Sequence, residues 1–191
     1  MTYERTWIGR VFIGVSVDGF IARSDGDITW LTDPPQGRAH SRIDSSRAAE
    51  SWETFFPAID HVVMGRATYE KVLTFDEWPY EGKSVIVLST TLSDEDTRIT
   101  VTRDLDHALA TLSDDGARQV YVDGGRVIQT FLRAGLIDEM TTSWMPVLIG
   151  EGIRLFGQLD ADVHLTLLAS DATDDGGVHA TYRVERSILA P

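Results

Sequence analysis

Hydrophobic and polar positions follow two alternating patterns over the first two thirds of the chain. Short apolar, β-branched runs predict strands at residues 10–17, 61–65, 84–89, 97–102 and 120–123. Apolar residues at helical spacing predict helices at residues 43–58, 66–73, 104–113 and 124–134. Strands that alternate with helices indicate a parallel sheet with helices on both faces.

The pattern changes after residue 137, where strands follow one another directly. They are predicted at residues 138–149, 163–173 and 178–185, and the last two flank an Asp-Asp-Gly-Gly turn. The expected fold class is therefore α/β, with a mixed, mostly parallel central sheet flanked by helices on both faces and a C-terminal antiparallel hairpin. Since no repeat or linker interrupts the pattern, residues 1–191 are expected to form a single domain.

Composition and charge exclude several classes of function. The chain has no cysteine, which removes disulfides and thiolate chemistry, and its five histidines show no metal-ligand spacing. A net charge of −13 opposes binding to nucleic acid or to anionic membranes. No apolar run is long enough to span a bilayer, and residues 1–10 lack the apolar core of a signal peptide, so a cytoplasmic location is expected.

Glycine, arginine and hydroxyl residues follow the predicted parallel strands. The loops in question are Asp18-Gly19, Gly65-Arg66-Ala67-Thr68, Ser89-Thr90 and Asp123-Gly124-Gly125-Arg126. The carboxyl ends of parallel strands meet at one edge of a sheet, where ligands bind in open α/β folds. Helix starts with glycine and arginine favour phosphate groups, so the glycine pair is interpreted as space for a pyrophosphate. The alternative is that the pair serves backbone geometry alone.

Several motifs occur in the order typical of one family. They are an early strand ending in Asp-Gly, then Gly-Asp-x-x-Trp-Leu, VVMGRATYE, VIVLSTT, VYVDGGRVIQTFL and LIDEMTTSWMPVLIGEG. Together they resemble the dihydrofolate reductase-like fold over residues 8–186. The resemblance is closest to the reductase domain of the bifunctional riboflavin-biosynthesis deaminase-reductase and its stand-alone relatives.

The resemblance implies an NADPH-dependent reductase of a small heterocycle, similar to 5-amino-6-(5-phosphoribosylamino)uracil reductase, that acts as a homodimer. The implied cofactor-binding residues are Val15, Trp30, Gly65, Arg66, Thr68, Leu88, Ser89, Thr90, Gly124, Gly125, Arg126 and Val127. Trp52 and Thr142 are the implied substrate residues. A dihydrofolate or pterin reductase and a non-catalytic NADPH-binding module are the alternatives.

The proton donor of such a reductase is predicted to be a carboxyl group. Glu50 occupies the family's position for it, and Asp18 and Asp123 are alternatives near the same edge. The family's arginine-containing phosphate segment corresponds to residues 74–83, which contain no arginine. Arg38, Arg42 and Arg47 are candidates to replace it, and a phosphoribosyl substrate is in question.

Overall fold

The computed structural model describes residues 5–32, 49–173 and 176–185. The strands are β1 (Ile8–Ser16), β2 (Phe20–Ala22), β3 (His61–Gly65), β4 (Ser84–Leu88), β5 (Ile99–Thr102), β6 (Gln119–Asp123), β7 (Glu139–Met145), β8 (Ile153–Arg154), β9 (Leu165–Ala172) and β10 (Val178–Val184). The helices are α1 (Thr29–Thr32), α2 (Trp52–Ala58), α3 (Arg66–Val72), α4 (Leu105–Asp114) and α5 (Gly125–Arg133).

Eight strands form one sheet in the order β5-β4-β3-β6-β1-β7-β10-β9. The pairs from β5 through to β7 are parallel, and β10 runs antiparallel to both β7 and β9. A separate antiparallel pair joins β2 to β8. The predicted α/β class, with its mixed sheet and C-terminal hairpin, is confirmed.

Side chains alternate between the two faces of the sheet, and each face has its own core. On the face covered by α4 and α5, strand residues such as Val63 and Val122 pack with Ile128 and Phe131. On the face covered by α2 and α3, Met64 and Val87 pack with Phe55 and Tyr69. We call these the α4/α5 face and the α2/α3 face. The period-two alternation of a strand assigns each strand residue to one of them.

Two predicted elements have an end that lies more than two residues from its position in the structure. The helix predicted at 43–58 begins at Trp52, because Ser51 is its N-cap and the Ser51 amide donates to Thr54 Oγ1 over 3.2 Å. Residues 33–48, with Arg38, Arg42 and Arg47, lie outside the described part of the chain. The strand predicted at 138–149 ends at Met145, since the following Pro146 has no N–H to continue the ladder.

The sequence patterns did not predict the short helix α1 or the pairing of β2 with β8. The helix α1 and the strands β2 and β8 each have four residues or fewer, which is too few to show a hydrophobic period. Among the described residues, no helix has the length and hydropathy needed to cross a membrane.

Candidate functional site

Six parallel strands end along one edge of the sheet, and loops that follow them carry the predicted cofactor residues. We call the part of this edge formed by the segments after β1, β3, β4, β5 and β6 the rim. The parallel arrangement therefore brings together the loops that the sequence analysis selected, together with the loop after β5.

The starts of α3 and α5 touch each other at the rim. A β-carbon on Gly124 would clash with Thr68 Oγ1, and one on Gly65 would lie 3.3 Å from Val127 Cγ2. Gly124 has φ +85°, a conformation that favours glycine. Residues 65–68 and 124–127, which are about 60 positions apart in the sequence, are thus neighbours on the same edge.

The glycine pair is explained by contacts within the protein. The β-carbon position of Gly124 faces Thr68, and that of Gly125 lies 2.9 Å from Ile21 Cδ1 and 3.1 Å from the Arg154 carbonyl oxygen. The Gly124 amide donates to Asp123 Oδ1 over 2.8 Å. The missing β-carbons therefore allow two helix starts and β8 to approach closely. The interpretation that the glycine pair makes space for a pyrophosphate stays a prediction.

Positively charged side chains lie along the rim. Arg66 donates to Thr91 Oγ1 over 2.7 Å and to Glu70 Oε1 over 2.6 Å, and its side chain is about half exposed. Arg103, directly after β5, approaches the carbonyl oxygens of Ser89 and Leu92 at 3.3 Å. Arg103 was not among the residues predicted from the sequence, because the loop after the 97–102 strand was not among the predicted rim loops. A cation immediately after a parallel strand is the signal that identifies it.

The predicted rim residues differ in how accessible they are. Thr90 and Arg126 are exposed, whereas Ser89 is buried and its Oγ accepts hydrogen bonds from the amides of Thr91 and Leu92. The Ser89 hydroxyl therefore stabilises its own turn. Leu88 is partly buried against the core of the α4/α5 face.

Trp30 is buried in α1, with 7% of its surface exposed. Its indole Nε1 is a buried donor without a hydrogen-bond partner among residues 5–32, 49–173 and 176–185. Buried donors are rarely left unpaired in proteins, so this atom marks a position where a bound molecule can supply the acceptor.

An aromatic cluster lines the α2/α3 face beside the rim. The Trp52 ring stacks on Phe56, with centroids 4.9 Å apart, and meets Phe12 of β1 and Tyr121 of β6 edge-on at 5.5 and 5.8 Å. His179 of β10 meets Phe12 at 6.0 Å. With 38% of Trp52 exposed, the cluster offers a flat apolar surface of the kind that binds planar rings.

Thr142 and Val15 point to the other side of the sheet. Thr142 pairs with Ile13, is buried and approaches the Ala180 carbonyl oxygen, while Val15 is fully buried in the core of the α4/α5 face. Thr141 and Ser143, the neighbours of Thr142, face the aromatic cluster by strand alternation. Thr142 and Val15 therefore lie on the side of the sheet away from the aromatic cluster, and their expected contacts with substrate and cofactor stay predictions.

Glu50 is held by an arginine. Its Oε2 accepts a hydrogen bond from Arg10 Nη2 over 2.6 Å, and the same nitrogen lies 3.2 Å from Glu139 Oε2. The Glu50 amide donates to Thr181 Oγ1 over 3.3 Å. Glu50 precedes the N-cap of α2, so it lies just before the helix rather than in its first turn. Its carboxylate is directed towards β1 and engaged in an ion pair.

Asp18 connects the loop after β1 to the segment after β7. Its carboxylate accepts hydrogen bonds from the Ser16 hydroxyl at 2.6 Å, the Ile149 amide at 3.1 Å and the Gly150 amide at 2.7 Å. The Ser16 hydroxyl first, and then the two amides, hold the pKa of Asp18 below its ordinary value of 3.8. Asp18 is therefore ionised at neutral pH and is a poor proton donor.

Asp123 has the opposite electrostatic character at the end of β6. Burial raises the pKa of its carboxyl above the ordinary value of 3.8, although hydrogen bonds with the Gly124 amide, Tyr121 and Tyr80 oppose the rise. It lies on the α2/α3 face, two residues after Tyr121 of the aromatic cluster. Asp123 thus combines a position beside the aromatic cluster with a raised pKa, as a proton donor requires.

The segment 74–83 contributes no free cation to this face. Lys83, its single basic residue, donates to the Ile59 carbonyl oxygen over 2.6 Å and lies 5.0 Å from the Phe56 ring centroid. Within the described ranges, no group of three or more histidine, aspartate or glutamate side chains is arranged to hold a metal ion.

Solved structures with this architecture include two that bear on the fold. A protein assigned to riboflavin biosynthesis from Shewanella sp. PV-4 is 34% identical, with a TM-score of 0.78, 94% of this chain covered and 99% of the other. A dihydrofolate reductase of Enterococcus faecalis, solved with NADP(H), is 18% identical, with a TM-score of 0.65 and coverages of 93% and 96%. The dihydrofolate reductase-like fold inferred from the sequence is thereby confirmed.

Sequence comparisons agree with these structural ones. The uncharacterised protein YwjB of Bacillus subtilis is 32% identical over 162 residues, which cover 82% of this chain and 87% of YwjB. The model of the RibD C-terminal domain matches residues 8–179. With nearly the whole described sheet inside that match, the chain belongs to the RibD C-terminal domain family.

Proposed function

We propose that this protein is an NADPH-dependent reductase that transfers hydride to a small planar heterocycle of the aminopyrimidine or pterin kind. The observation that carries the proposal is the contact between Gly124 and Thr68, which brings two arginine-bearing helix starts together at the rim. The aromatic cluster and Asp123 lie beside that contact on the α2/α3 face. Family membership supports a reductase, and the neighbour from Enterococcus faecalis was solved with NADP(H).

The rim fits a phosphorylated dinucleotide. The nine-residue helix α5 begins there, and its first turn favours an anion, with exposed Arg126 at its second residue. Arg66 and Arg103 flank the Ser89–Leu92 turn and can supply charge-assisted bonds to a further phosphate. The net charge of −13 repels an anionic cofactor, so these local positive groups would be what holds it at the rim. The Trp30 indole N–H, which has no partner among the residues that the structure describes, is a further donor for the bound cofactor or substrate.

NADPH, when bound, supplies the hydride, and the protein must supply a proton. Hydride addition to a C=N bond leaves negative charge on nitrogen, which a positioned acid neutralises. We assign this proton to Asp123, because Glu50 is engaged by Arg10 and Asp18 accepts three hydrogen bonds that favour its ionised form. Water would then reprotonate the Asp123 carboxylate.

The test is calorimetry with NADPH and NADH on the wild type, Arg66→Ala and a control. Loss of one charge-assisted bond should weaken NADPH binding by about 1.5–3 kcal/mol in Arg66→Ala. Arg118→Ala is the matched control, since Arg118 is an exposed arginine at the opposite edge of the sheet, before β6. Equal affinities of all three proteins for NADPH would remove Arg66 from the site.

The same proteins distinguish a reductase from a non-catalytic NADPH-binding module. A reductase oxidises NADPH in the presence of at least one heterocycle, and Asp123→Asn should lower kcat by about 100-fold or more while it leaves NADPH affinity intact. A binding module shows the affinity alone. A panel of heterocycles with and without a ribose phosphate tests whether the absence of arginine from residues 74–83 leads the enzyme to prefer the unphosphorylated compounds.

We further propose that two copies of the chain associate through the edge of the sheet. Leu165 and Leu167 on β9 and Val178 on β10 have 42–54% of their surface exposed. They share the α4/α5 face, beyond the part that the helices cover. An apolar strip on an edge strand is a surface that protein association buries.

A further inference from the structure

A row of paired residues crosses four strands beside the aromatic cluster. Gly14 of β1 pairs with Ser143 of β7. Ser143 pairs in turn with His179 of β10, and His179 pairs with Asp171 of β9. Residues paired across neighbouring strands direct their side chains to the same face of a sheet. The His179 ring meets Phe12 edge-on, with centroids 6.0 Å apart, so the row lies on the α2/α3 face. We call Ser143, His179 and Asp171 the polar row.

Apolar groups border the polar row on its β1 side. Gly14 has no side chain there, and its β-carbon position lies 2.6 Å from Leu31 Cδ1, so α1 packs directly over β1. Phe12, two residues before Gly14, meets Trp52 of α2 edge-on at 5.5 Å. A planar ring that lies on Phe12 and Trp52 would therefore bring one of its edges to the polar row.

Two members of the polar row have polar atoms to offer a ligand. The Asp171 carboxylate already accepts a hydrogen bond from a backbone amide over 2.8 Å. Ser143 has only 6% of its surface exposed, yet neither its hydroxyl nor the His179 ring has a hydrogen-bond partner among the residues that the structure describes. In the neighbouring row, by contrast, the Thr141 and Thr181 hydroxyls bond to each other over 3.0 Å. Buried hydroxyls are rarely left unpaired, so a bound molecule can supply the partner of Ser143.

We propose that Ser143 and His179 are specificity-determining residues, which bind the lactam edge of a heterocycle stacked on Phe12 and Trp52. A lactam edge is a ring N–H beside a ring carbonyl, so it offers one donor and one acceptor. A hydroxyl can donate and accept, and a neutral imidazole has one donor nitrogen and one acceptor nitrogen, so the two side chains match that edge. This inference rests on the proposed function, in which a planar heterocycle binds to the aromatic cluster.

The first measurement follows the ring Cε1–H signals of carbon-13-labelled histidines at one pH while lumazine, the pteridine-2,4-dione, is added without cofactor. The His179 signal is assigned from His179→Gln. Lumazine should shift it, because the ligand edge contacts the imidazole. His107 is the internal control, since it is exposed on α4 and its Nδ1 lies 2.8 Å from Asp104 Oδ1, and its signal should not move.

The second measurement compares the affinities for lumazine and 1,3-dimethyllumazine, which has the same rings but no N–H on the lactam edge. The wild type should bind the dimethyl compound about tenfold more weakly, as expected for the loss of one hydrogen bond. His179→Leu and Ser143→Ala should each reduce this preference. His179→Gln should retain part of it, because an amide also donates and accepts. His107→Leu is the matched control and should retain all of it.

Three results would overturn the proposal: no binding of lumazine, an unmoved His179 signal when lumazine is bound, or equal wild-type affinities for the two compounds. The NMR measurement uses the wild-type protein, so it decides the question even where a substituted chain does not fold. Neither measurement requires a cofactor. A failure of NADPH binding would therefore refute the proposed reductase, whereas a failure with lumazine alone, beside intact NADPH binding, would refute the role of the polar row.

Discussion

Gly124 shows how one residue couples two loops of the rim. Its positive φ is accessible to glycine at little cost, and its missing β-carbon leaves room for Thr68 Oγ1. The Gly124 amide also donates a hydrogen bond to Asp123 Oδ1. A side chain at this position would therefore strain the backbone, separate the starts of α3 and α5, and shift the candidate proton donor.

Gly124→Ala should lower the free energy of unfolding by about 3 kcal/mol, since backbone strain and a steric clash add. Gly116→Ala is the control, because Gly116 also has a positive φ, +68°, but no atom within 4 Å of its β-carbon position. It should cost about 1 kcal/mol. Urea unfolding measures both values.

The double variant Gly124→Ala, Thr68→Ala isolates the clash. Removal of Thr68 Oγ1 should recover about 1 kcal/mol of the loss and leave the backbone strain. Equal costs at Gly124 and Gly116, or no recovery in the double variant, would show that Thr68 does not constrain this position.

Asp18 acts between elements, since it joins the loop after β1 to residues 147–150 after β7. Without this carboxylate the Ile149 and Gly150 amides lose their acceptor. The segment leads into β8, whose Arg154 carbonyl oxygen is close to Gly125 at the start of α5. Asp18 therefore helps to position the rim although it is not itself a proton donor.

The stabilisation by Asp18 depends on pH in a definite direction. Its pKa is lowered in the folded state, so the contribution is present above the ordinary pKa of 3.8 and is lost as the pH falls through the folded value. Asp18→Ala should remove that acid-dependent part of the unfolding free energy. It should also speed hydrogen exchange at Ile149 and Gly150 at neutral pH.

Asp25→Ala is the control for that experiment, because the bond that Asp25 makes to the described part of the chain is to the Asp27 amide within its own turn. It should leave exchange at Ile149 and Gly150 unchanged. If Asp18→Ala also leaves it unchanged, the segment after β7 is held by other contacts.

At the scale of the whole molecule, the sequence predicted which loops meet at the rim better than it predicted the direction of individual side chains. Apolar runs and the parallel-strand rule predicted that residues 65–68 and 124–127 would meet, and they do. The face on which the Thr142 side chain lies was not predicted, because a difference of one residue reverses strand alternation.

Contacts between distant positions were beyond the sequence patterns. Arg10 and Glu50 pair across 40 positions, and the Glu50 amide donates to Thr181 Oγ1 across 131 positions. Each pairing depends on how the segment before α2 packs on the sheet. Local propensity and spacing do not predict that packing. The sequence therefore left three carboxyl groups as candidates for the proton donor.

The proposed dimer depends on the apolar strip at the other end of the sheet from the rim arginines. Each leucine buried there would contribute about 1.5–3 kcal/mol to association, so one charge at its centre should disrupt it. Leu167→Lys should convert a particle of twice the chain mass into a monomer in light scattering. Thr166→Lys places the same charge on the opposite face of β9, beside Glu185, and should leave the dimer intact. A wild-type monomer, or a Leu167→Lys dimer, would exclude this surface, and NADPH binding by the monomeric variant would show that the rim functions within one chain.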